Sequence, residues 1–493
     1  MPVVVASASG RSVIVGAGVA GRELATALRR KRKMAAVMGF LDDRFDGTRG
    51  VFAGLPLLGR IDDLGNVVRA LQIDQVYIAI PSAHGQLVRR IVAACQGARV
   101  AFRIVPRILE IIEGRARLDD VRQIRPEDLL GRAPVKSDRG LARLLAHGRR
   151  ILVTGGAGSI GTELCRQLGR CEPEELVALD WSENGIFNLE REIRRRYPRL
   201  SFRSLLGNAQ ESDQIKRIFK ETKPEVVFHA AAYKHVPLME RFPEQALLNN
   251  IIGTWNVASA AREFGAQTFV LVSTDKAVLP RSIMGATKAV AELLVQSLGQ
   301  SARFSTVRCG NVFSSSGSVI PIFQEQIRRG GPVTLTHPDM VRFFMTIPEA
   351  VHLIIQAARL TEGGEVFVLD MGEPVKILDI AENLIRLSGF RPHVDVEITF
   401  TGSRSGEKLS EQLARHDEDV VPSAFPHVFV TKTVRAPAMP PETLVRTARE
   451  LAMRARPREI RRFLAELVPD FKFAKRSPAR AQRALTVQFA VRR

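Results

Sequence analysis

The chain has 493 residues, of which 45% are hydrophobic and 25% charged, as in a globular protein of about three average domains. This composition excludes a disordered, collagen-like or coiled-coil chain, and no apolar run approaches the roughly 20 residues that a membrane-spanning helix needs. Since the start of the chain also lacks the basic region of a secretion signal, we expect a soluble cytoplasmic protein. Its four cysteines have no paired spacing, which predicts buried, reduced thiols and no metal site.

The formal net charge of +20 is concentrated at the two ends of the chain. Residues 1–150 have a net charge of +12, and residues 472–493 contain seven basic residues and no acidic one. Basic ends favour peripheral contact with an anionic surface. Because no zinc finger or aromatic-basic RNA motif is present, we favour a membrane over nucleic acid as that surface. Charge that is merely solvated is the alternative.

The first elements alternate between short β-branched strands and helices. Strands are predicted at 12–15, 35–41, 75–80 and 98–105, with helices near 23–32 and 85–94. Such alternation is typical of a parallel, doubly wound sheet. Gly16, Gly18 and Gly21 follow the first strand and Asp42 ends the second, which is a nucleotide-binding pattern. No spaced set of hydroxyl, lysine and acid follows it, so a working, a regulatory and a vestigial nucleotide site all stay open.

The pattern of strand, glycine turn and helix occurs a second time, after a polar segment that is rich in Arg and Asp. A second strand, glycine turn and helix open at residue 150, and further strands are predicted at 176–179, 226–229, 268–273 and 305–308. We therefore predict an α/β protein with two Rossmann-type, doubly wound parallel sheets. Its parts are an accessory domain over 1–130, a linker over 131–149, a second domain over 150–471 and a basic tail over 472–493. The part after residue 310 looks less regular and is expected to carry the substrate.

The second glycine turn has the stronger fingerprint. Gly155, Gly158 and Gly161 open a helix after the strand 151–154, and Asp180 comes nineteen residues after Gly161 at the end of the next strand. Glycines let a pyrophosphate approach the helix N terminus, and an acid at that position accepts hydrogen bonds from ribose hydroxyls while repelling a 2′-phosphate. Because the two residues after the acid are Trp and Ser rather than Arg, the sequence favours NAD over NADP.

Motifs further along the chain carry a family resemblance. In order, they are Phe228–Pro237, Ser273–Lys276, Met284–Lys288, Arg308–Val312, Thr336–Met340, Phe344–Ala350 and Gly406–Leu409. With these motifs, residues 150–411 resemble an extended short-chain dehydrogenase/reductase, and specifically the nucleotide-sugar 4,6-dehydratases of bacterial polysaccharide and glycan biosynthesis. The first domain resembles the Rossmann domain that longer members place after membrane helices. We expect either a short soluble form or a chain without its N-terminal part.

The resemblance implies NAD-dependent dehydration of UDP-N-acetylglucosamine. In that reaction the C4 hydroxyl is oxidised, water is lost across C5 and C6, and hydride returns to C6, which leaves a 4-keto-6-deoxy sugar. By resemblance, Lys276 is the base at C5, Asp275 is the acid at the C6 hydroxyl, and Thr274 orients the sugar. Oxidation at C4 acidifies the C5 proton, so one base and one acid suffice. A lysine base must be substantially neutral, which requires burial or a cationic neighbour.

Met284 stands where ordinary dehydrogenases of this class have a tyrosine. Methionine cannot exchange a proton, so a water relay or a neighbour such as Asp275 must deprotonate the C4 hydroxyl. Within the family, the Met variant marks the branch that keeps the configuration at C5, and Lys288 is expected to hold the nicotinamide ribose. Two rival functions stay open: a nucleotide-sugar 4-epimerase, and a catalytically silent sensor of NAD or a nucleotide sugar.

The sequence and the resemblance together assign further residues to cofactor and substrate. The cofactor set is Gly155, Gly158, Ser159, Ile160, Gly161, Asp180, Asn208, Ala209, Ala230, Ala231, Ala232 and Lys288. The substrate set is Lys234, Asn311, Arg342, Arg404 and Glu407, the last three as candidates to hold diphosphate and uridine. Two positions depart from the family pattern: Asn208 replaces an aspartate near adenine, and Ser316 replaces an arginine near the substrate. Family analogy also predicts a homo-oligomer.

Overall fold

The computed structural model describes residues 10–30, 36–44, 50–80, 85–104, 139–299, 303–388, 390–431, 433 and 435–472. The chain divides into two compact units. The first unit comprises Met1–Lys136, Phe323–Val333 and Asp379–Ile398, and the second comprises Ser137–Ile322, Thr334–Leu378 and Thr399–Arg493. Each unit is built around its own parallel sheet.

Within the described residues, the first unit contains a six-stranded sheet in the order β3-β4-β2-β1-β5-β6. The strands are β1 Arg11–Val15, β2 Ala36–Leu41, β3 Val51–Phe52, β4 Leu55–Gly59, β5 Gln75–Ile78 and β6 Ala101–Ile104, and the helices are α1 Val19–Arg30, α2 Leu64–Leu71 and α3 Gly85–Gly97. Val13 and Val15 face one apolar cluster and Ile14 faces another. Because both faces of this strand are covered, it has the continuous apolar sequence that a parallel sheet requires.

The second unit contains, in its described part, a nine-stranded sheet in the order β20-β21-β17-β12-β11-β10-β7-β8-β9. These strands are β7 Arg150–Thr154, β8 Glu175–Asp180, β9 Phe202–Leu206, β10 Val226–His229, β11 Thr268–Thr274, β12 Arg303–Cys309, β17 Val366–Leu369, β20 Val420–Pro422 and β21 Val428–Thr431. The strands from β9 to β17 pair in parallel, and β17, β21 and β20 pair in antiparallel fashion. The carboxyl ends of β7, β10, β11 and β12 therefore meet at one edge, where ligands of such sheets bind.

The remaining elements surround these sheets or extend from them. The helices are α4 Arg139–Ala146, α5 Ser159–Gly169, α6 Glu183–Arg196, α7 Ser212–Thr222, α8 Val236–Arg241, α9 Pro243–Ala246, α10 Thr254–Glu263, α11 Ile283–Gly299, α12 Val319–Arg328, α13 Ile347–Leu360, α14 Ile377–Leu387, α15 Pro441–Arg454 and α16 Pro457–Leu467. The short strands are β13 Asn311–Val312, β14 Val333–Leu335, β15 Val341–Arg342, β16 Phe344–Met345, β18 Val375–Lys376 and β19 Ile398–Phe400. A π-helical stretch, Leu247–Gly253, leads directly into α10.

Helix α11 is almost fully buried because the two C-terminal helices cover it. Side chains of α15 and α16, among them Leu444 and Phe463, share one apolar cluster with Met284 and Val290 of α11. Both C-terminal helices have a proline in their first turn, where the ring fixes a helical φ and no backbone donor is lost. Helices α15 and α16 thus complete the core behind the predicted catalytic motifs.

The predicted fold class, two Rossmann-type parallel sheets in an α/β protein, is confirmed. The domain boundaries differ from expectation in two ways. The second half of the predicted linker is helix α4, because Ala142, Leu145 and Ala146 form a buried stripe. Residues 379–398 group with the first unit, where Leu387 packs against the apolar cluster of that sheet.

The part after residue 310 is also more regular than expected, since it contains α12 to α16. All four cysteines are buried with free thiols, as predicted. None of the helices in the described ranges is both long enough and apolar enough to cross a bilayer. Apart from Lys472, the basic tail lies outside the described residues, and so do residues 31–33 of the basic segment that follows α1.

Candidate active site

The glycine turn between β7 and α5 forms a cradle that only glycine allows. Gly155 has a φ of +68°, and a Cβ at this position would lie 2.5 Å from the backbone nitrogen of Ala231. A Cβ on Gly161 would lie 2.0 Å from the carbonyl oxygen of Gly155. The backbone of the turn therefore approaches both the start of α5 and the segment after β10, as a pyrophosphate cradle requires.

Asp180 at the end of β8 is held rigidly beside this cradle. The backbone N–H of Ala157 donates to its Oδ2 at 3.0 Å, and that of Ser182 donates to its Oδ1 at 2.9 Å. Of the predicted cofactor residues, eight line one cleft at this point: Gly155, Gly158, Asp180, Asn208, Ala209, Ala230, Ala231 and Ala232. A helix N terminus, a close-packed turn and a fixed carboxylate fit a dinucleotide.

A buried histidine braces the strand ends below the cradle, and sequence reasoning missed it. His229 Nδ1 lies 2.6 Å from Thr154 Oγ1, and its Nε2 lies 3.1 Å from Thr254 Oγ1. The Thr254 hydroxyl donates onward to the carbonyl of Asn250, so Nε2 is the protonated nitrogen in this network. Burial, and then the charge of Lys288, lower the pKa of His229 to about 3, so the ring is neutral.

A second missed residue is Asn250, in the π-helical stretch. Its Oδ1 accepts the backbone N–H of Tyr233 at 2.8 Å, and its Nδ2 donates to the Tyr233 carbonyl and the Thr287 hydroxyl, each at 3.1 Å. It thereby ties the segment after β10 to α11. The two adjacent asparagines at 249 and 250 in an otherwise apolar run are the sequence signal, and π-helical turns frequently occur at functional sites.

The predicted catalytic triplet lies together at the end of β11. Asp275 Oδ1 accepts from the Thr274 hydroxyl at 2.9 Å and from Lys276 Nζ at 2.9 Å. Asp275 is fully buried, and among the described residues no group donates to its second oxygen, Oδ2. Lys276 Nζ also donates to Asn311 Oδ1 at 2.9 Å. The structure thus brings a buried carboxyl, a hydroxyl and an amine to the edge where the cradle lies.

Lys234 lies close to this cluster and holds a serine-rich loop. Its Nζ donates to the carbonyl of Ser316 at 2.7 Å and to the Ser315 hydroxyl at 3.4 Å. The N–H of Ser316 donates to the hydroxyl of Ser159, the first residue of α5. Desolvation of the amine, and then the charge of Lys276, lower the pKa of Lys234. Position 316, where the family arginine is missing, therefore contacts the cofactor cradle through its backbone.

Helix α11 brings its first turns against the triplet. A Cβ on Gly285 would lie 2.2 Å from the carbonyl oxygen of Lys276, so glycine permits this approach. Lys288 Nζ donates to the carbonyl of Val272 at 3.0 Å, and burial lowers the pKa of Lys288 to about 8. Met284 is 3% exposed and belongs to the apolar cluster behind the site. Its thioether offers the site no exchangeable proton.

The three residues predicted for diphosphate and uridine are placed differently from one another. Arg342 is buried, and its guanidinium donates to the carbonyls of Val341, Lys408 and Leu409 at 2.7–3.1 Å. Arg404 is exposed, and its backbone N–H donates to Glu407 Oε2 at 3.1 Å. Arg342 thus braces the segment that follows Glu407, and all three assignments to substrate stay predictions.

A buried ion network behind β11 and β12 is the third feature that the sequence did not predict. Arg308 bonds Glu292 and Glu418, with shortest contacts of 2.7 Å to each, and the Ser273 hydroxyl donates to Glu292 at 2.5 Å. Although burial opposes it, the hydrogen bonds and charge of Arg308 hold the pKa of Glu418 below its usual range. The network fixes the ends of both strands from behind the triplet.

The second unit has the features of an extended short-chain dehydrogenase/reductase. A glycine turn joins a strand to a helix, an acid ends the next strand, and a buried lysine lies on a helix behind the parallel sheet. Residues 151–433 match the model of a family described as polysaccharide biosynthesis protein, and the chain belongs to this family. Residues 4–106 match the model of a CoA-binding domain.

Relatives and solved structures agree with this placement. The probable polysaccharide biosynthesis protein EpsC of Bacillus subtilis is 44% identical over 87% of this chain and 72% of its own length. The capsular polysaccharide biosynthesis protein CapD of Staphylococcus aureus is 43% identical over 83% of this chain and 69% of its own length. The solved structure of Pen from Bacillus thuringiensis is 32% identical with a TM-score of 0.55, over 62% of this chain and 98% of Pen.

Proposed function

We propose that the protein is an NAD-dependent UDP-N-acetylglucosamine 4,6-dehydratase that makes a UDP-4-keto-6-deoxy-N-acetylhexosamine for surface polysaccharide or glycan synthesis. The observation that carries this proposal is the Asp275–Lys276 pair, in which a buried carboxyl accepts a hydrogen bond from the neighbouring amine and its second oxygen has no donor among the described residues. An elimination needs an acid and a base together, and the names of EpsC and CapD refer to polysaccharide synthesis.

The residues around the glycine turn suit NAD. Gly155 and Gly161 would let its pyrophosphate approach the start of α5, and Asp180 would accept hydrogen bonds from the ribose hydroxyls. Lys288, held by the Val272 carbonyl, is proposed to contact the nicotinamide ribose. When bound, NAD would accept the hydride from C4, and the reduced cofactor would donate the same hydride to C6.

The triplet is proposed to handle the protons of the elimination. Asp275, as a carboxylate, accepts the C4 hydroxyl proton by way of Thr274 and passes it to the C6 hydroxyl, which leaves as water when the C6–O bond breaks. Lys276, as a neutral amine, takes the C5 proton and returns a proton to C5 when hydride is added at C6.

The C4 hydroxyl needs a proton acceptor other than Met284. The Thr274 hydroxyl donates to Asp275, so it offers a path from the sugar to that carboxylate. Lys234 and Asn311 are proposed to face the sugar, and Arg342, Arg404 and Glu407 stay candidates for the diphosphate and uridine. Homo-oligomer formation and contact of the basic segments with an anionic membrane remain predictions.

The test is incubation of the full chain with NAD and UDP-N-acetylglucosamine in deuterated water, followed by mass spectrometry and proton NMR. We expect the loss of one water, a new C6 methyl group and deuterium at C5, with the C5 coupling reporting the configuration. Lys276→Met should abolish this product, while Lys216→Met, at an exposed ion pair with Glu263, should leave it unchanged. A C4 epimer of unchanged mass would indicate an epimerase, and NAD binding without turnover would indicate a sensor.

A further inference from the structure

Asn311 contacts the proposed base directly. Its Oδ1 accepts a hydrogen bond from Lys276 Nζ at 2.9 Å, and Asp275 Oδ1 accepts a second one from the same nitrogen at 2.9 Å. A neutral amine has two N–H bonds and one lone pair. When both N–H bonds are directed at these two oxygens, the lone pair has a single direction left.

The backbone holds Asn311 in place independently of Lys276. Asn311 lies in β13, which pairs with β16, and its N–H donates to the carbonyl of Phe343 at 3.0 Å. Two residues on, the N–H of Phe313 donates to the carbonyl of Met345 at 2.8 Å. The amide therefore approaches the amine from a fixed strand, whereas Lys276 has a long side chain with several rotatable bonds.

We propose that Asn311 is a positioning residue that fixes the direction of the Lys276 lone pair, in addition to any contact with substrate. This inference rests on the proposed function, in which Lys276 is the base at C5. The sequence predicted only a substrate contact for Asn311, whereas this proposal adds the orientation of the Lys276 amine.

The neutral amide suits this task better than a charged group would. In the described part of the chain, the groups recorded beside the amine are Asp275, Lys234, Cys309 and Asn311. Asp275 and Lys234 place one acidic and one basic side chain beside the amine, while burial raises the pKa of Cys309 to about 12, so that this thiol is neutral. A carboxylate at position 311 would add a second negative charge and keep the proton on Lys276, whereas an amide orients the amine without that cost.

Two substitutions test the proposal in the full chain. Asn311→Leu keeps the approximate size but removes the acceptor, so we expect kcat and the uptake of C5 deuterium to fall by about tenfold or more, a loss that saturating substrate does not restore. Asn311→Asp keeps the acceptor but adds charge, so we expect the rising limb of the kcat–pH profile to move up by about one pH unit. Asn66→Leu, at an exposed position of the first unit, is the matched control and should change neither quantity.

A second measurement does not depend on turnover. Competitive labelling with acetic anhydride, read by peptide mass spectrometry across a pH series, gives the pH midpoint at which Lys276 becomes nucleophilic. In Asn311→Asp this midpoint should rise by about one pH unit, while that of the ion-paired surface Lys216 stays constant. An unchanged Lys276 midpoint, or an Asn311→Leu variant in which KM rises and kcat is preserved, would overturn the proposal. If the wild-type chain shows no dehydration, the proposed function fails, and the labelling still decides whether Asn311 acts on the amine.

Discussion

The acids beside the two glycine turns accept the same pair of backbone hydrogen bonds, but a different side chain lies two residues after each acid. In the first unit, Asp42 accepts the N–H of Ala17 at 2.9 Å and that of Arg44 at 3.1 Å. In the second unit, Asp180 accepts from the corresponding N–H groups, at 3.0 and 2.9 Å. The Arg44 guanidinium, however, bonds both oxygens of Asp42 at 2.8–2.9 Å, whereas the Ser182 hydroxyl at the same position caps helix α6.

From this difference we expect that a nucleotide fingerprint with a complete backbone pattern loses its ribose contact when a neighbouring side chain occupies the acid. A carboxylate that is paired at both oxygens has little capacity left for ribose hydroxyls. The second unit also continues into the Thr274–Lys276 triplet, and no equivalent cluster follows the described part of the first sheet. We therefore expect one NAD per chain, bound in the second unit.

The largest difference between the two units is expected when an alanine replaces the last glycine of each turn. Gly161→Ala would place a Cβ 2.0 Å from the Gly155 carbonyl oxygen, so the start of α5 must shift. We expect NAD affinity to fall by about a hundredfold and turnover to be lost, because the cradle would lose several hydrogen bonds. Gly21→Ala makes the same clash with Gly16 in the first unit, at 1.9 Å, and should leave both quantities unchanged.

Isothermal titration calorimetry measures the NAD affinity of the two variants, and the dehydration assay measures their turnover. Circular dichroism shows whether each variant folds. Loss of NAD binding in the folded Gly21→Ala variant would mean that the cofactor binds in the first unit, and the comparison would be reversed.

A smaller difference in NAD affinity is expected when alanine replaces the acid beside each glycine turn. Asp180→Ala should weaken NAD binding by roughly tenfold to a hundredfold, because hydrogen bonds to a charged acceptor contribute about 1.5–3 kcal/mol. Asp42→Ala should leave NAD affinity and stoichiometry as they are. Titration calorimetry again provides the measurement, and equal losses in the two variants would contradict the assignment of the cofactor to one unit.

The smallest effect concerns the pH dependence of the Asp42–Arg44 pair. Hydrogen bonds from Arg44 lower the pKa of Asp42 to about 2, below an ordinary value near 3.9. Because the folded-state pKa is lowered, the stabilisation is present above about pH 4 and is lost as the pH falls toward 2. Arg44 is 73% exposed, so the pair should stabilise the first unit by less than about 1 kcal/mol. Denaturant unfolding of Arg44→Ser and wild type should differ at pH 6 and converge near pH 2, and a difference that persists at low pH would show that Arg44 acts by packing.

Features that are local in the sequence were predicted well. Strand ends, both glycine turns and Asp180 follow from apolar runs and glycine spacing over a few residues, and the structure has each of them. Thr274, Asp275 and Lys276 are consecutive at a strand end, so their proximity needed only the position of β11. The roles of these residues remain predictions.

Contacts between distant segments could not be predicted in this way. Asn250 bonds Thr287, thirty-seven residues away, and Arg308 bonds Glu418 across 110 residues. No periodicity encodes such pairs, since each partner alone resembles an ordinary polar residue. The three backbone carbonyls that accept from the Arg342 guanidinium could not be predicted either, since two of them lie more than sixty residues away, and its assignment to the diphosphate stays a prediction.

The burial of α11 under α15 and α16 also bears on the order in which the protein is made. A ribosome synthesises the glycine turn and the Thr274–Lys276 triplet well before it reaches residues 441–467. Until those helices emerge, the apolar side chains of α11 around Met284 have no cover from Leu444 or Phe463. The nascent chain therefore carries the whole set of proposed catalytic residues with an exposed apolar surface behind them, which is the kind of surface that chaperones bind. Cover for the back of the site is therefore delayed until α15 and α16 leave the exit tunnel.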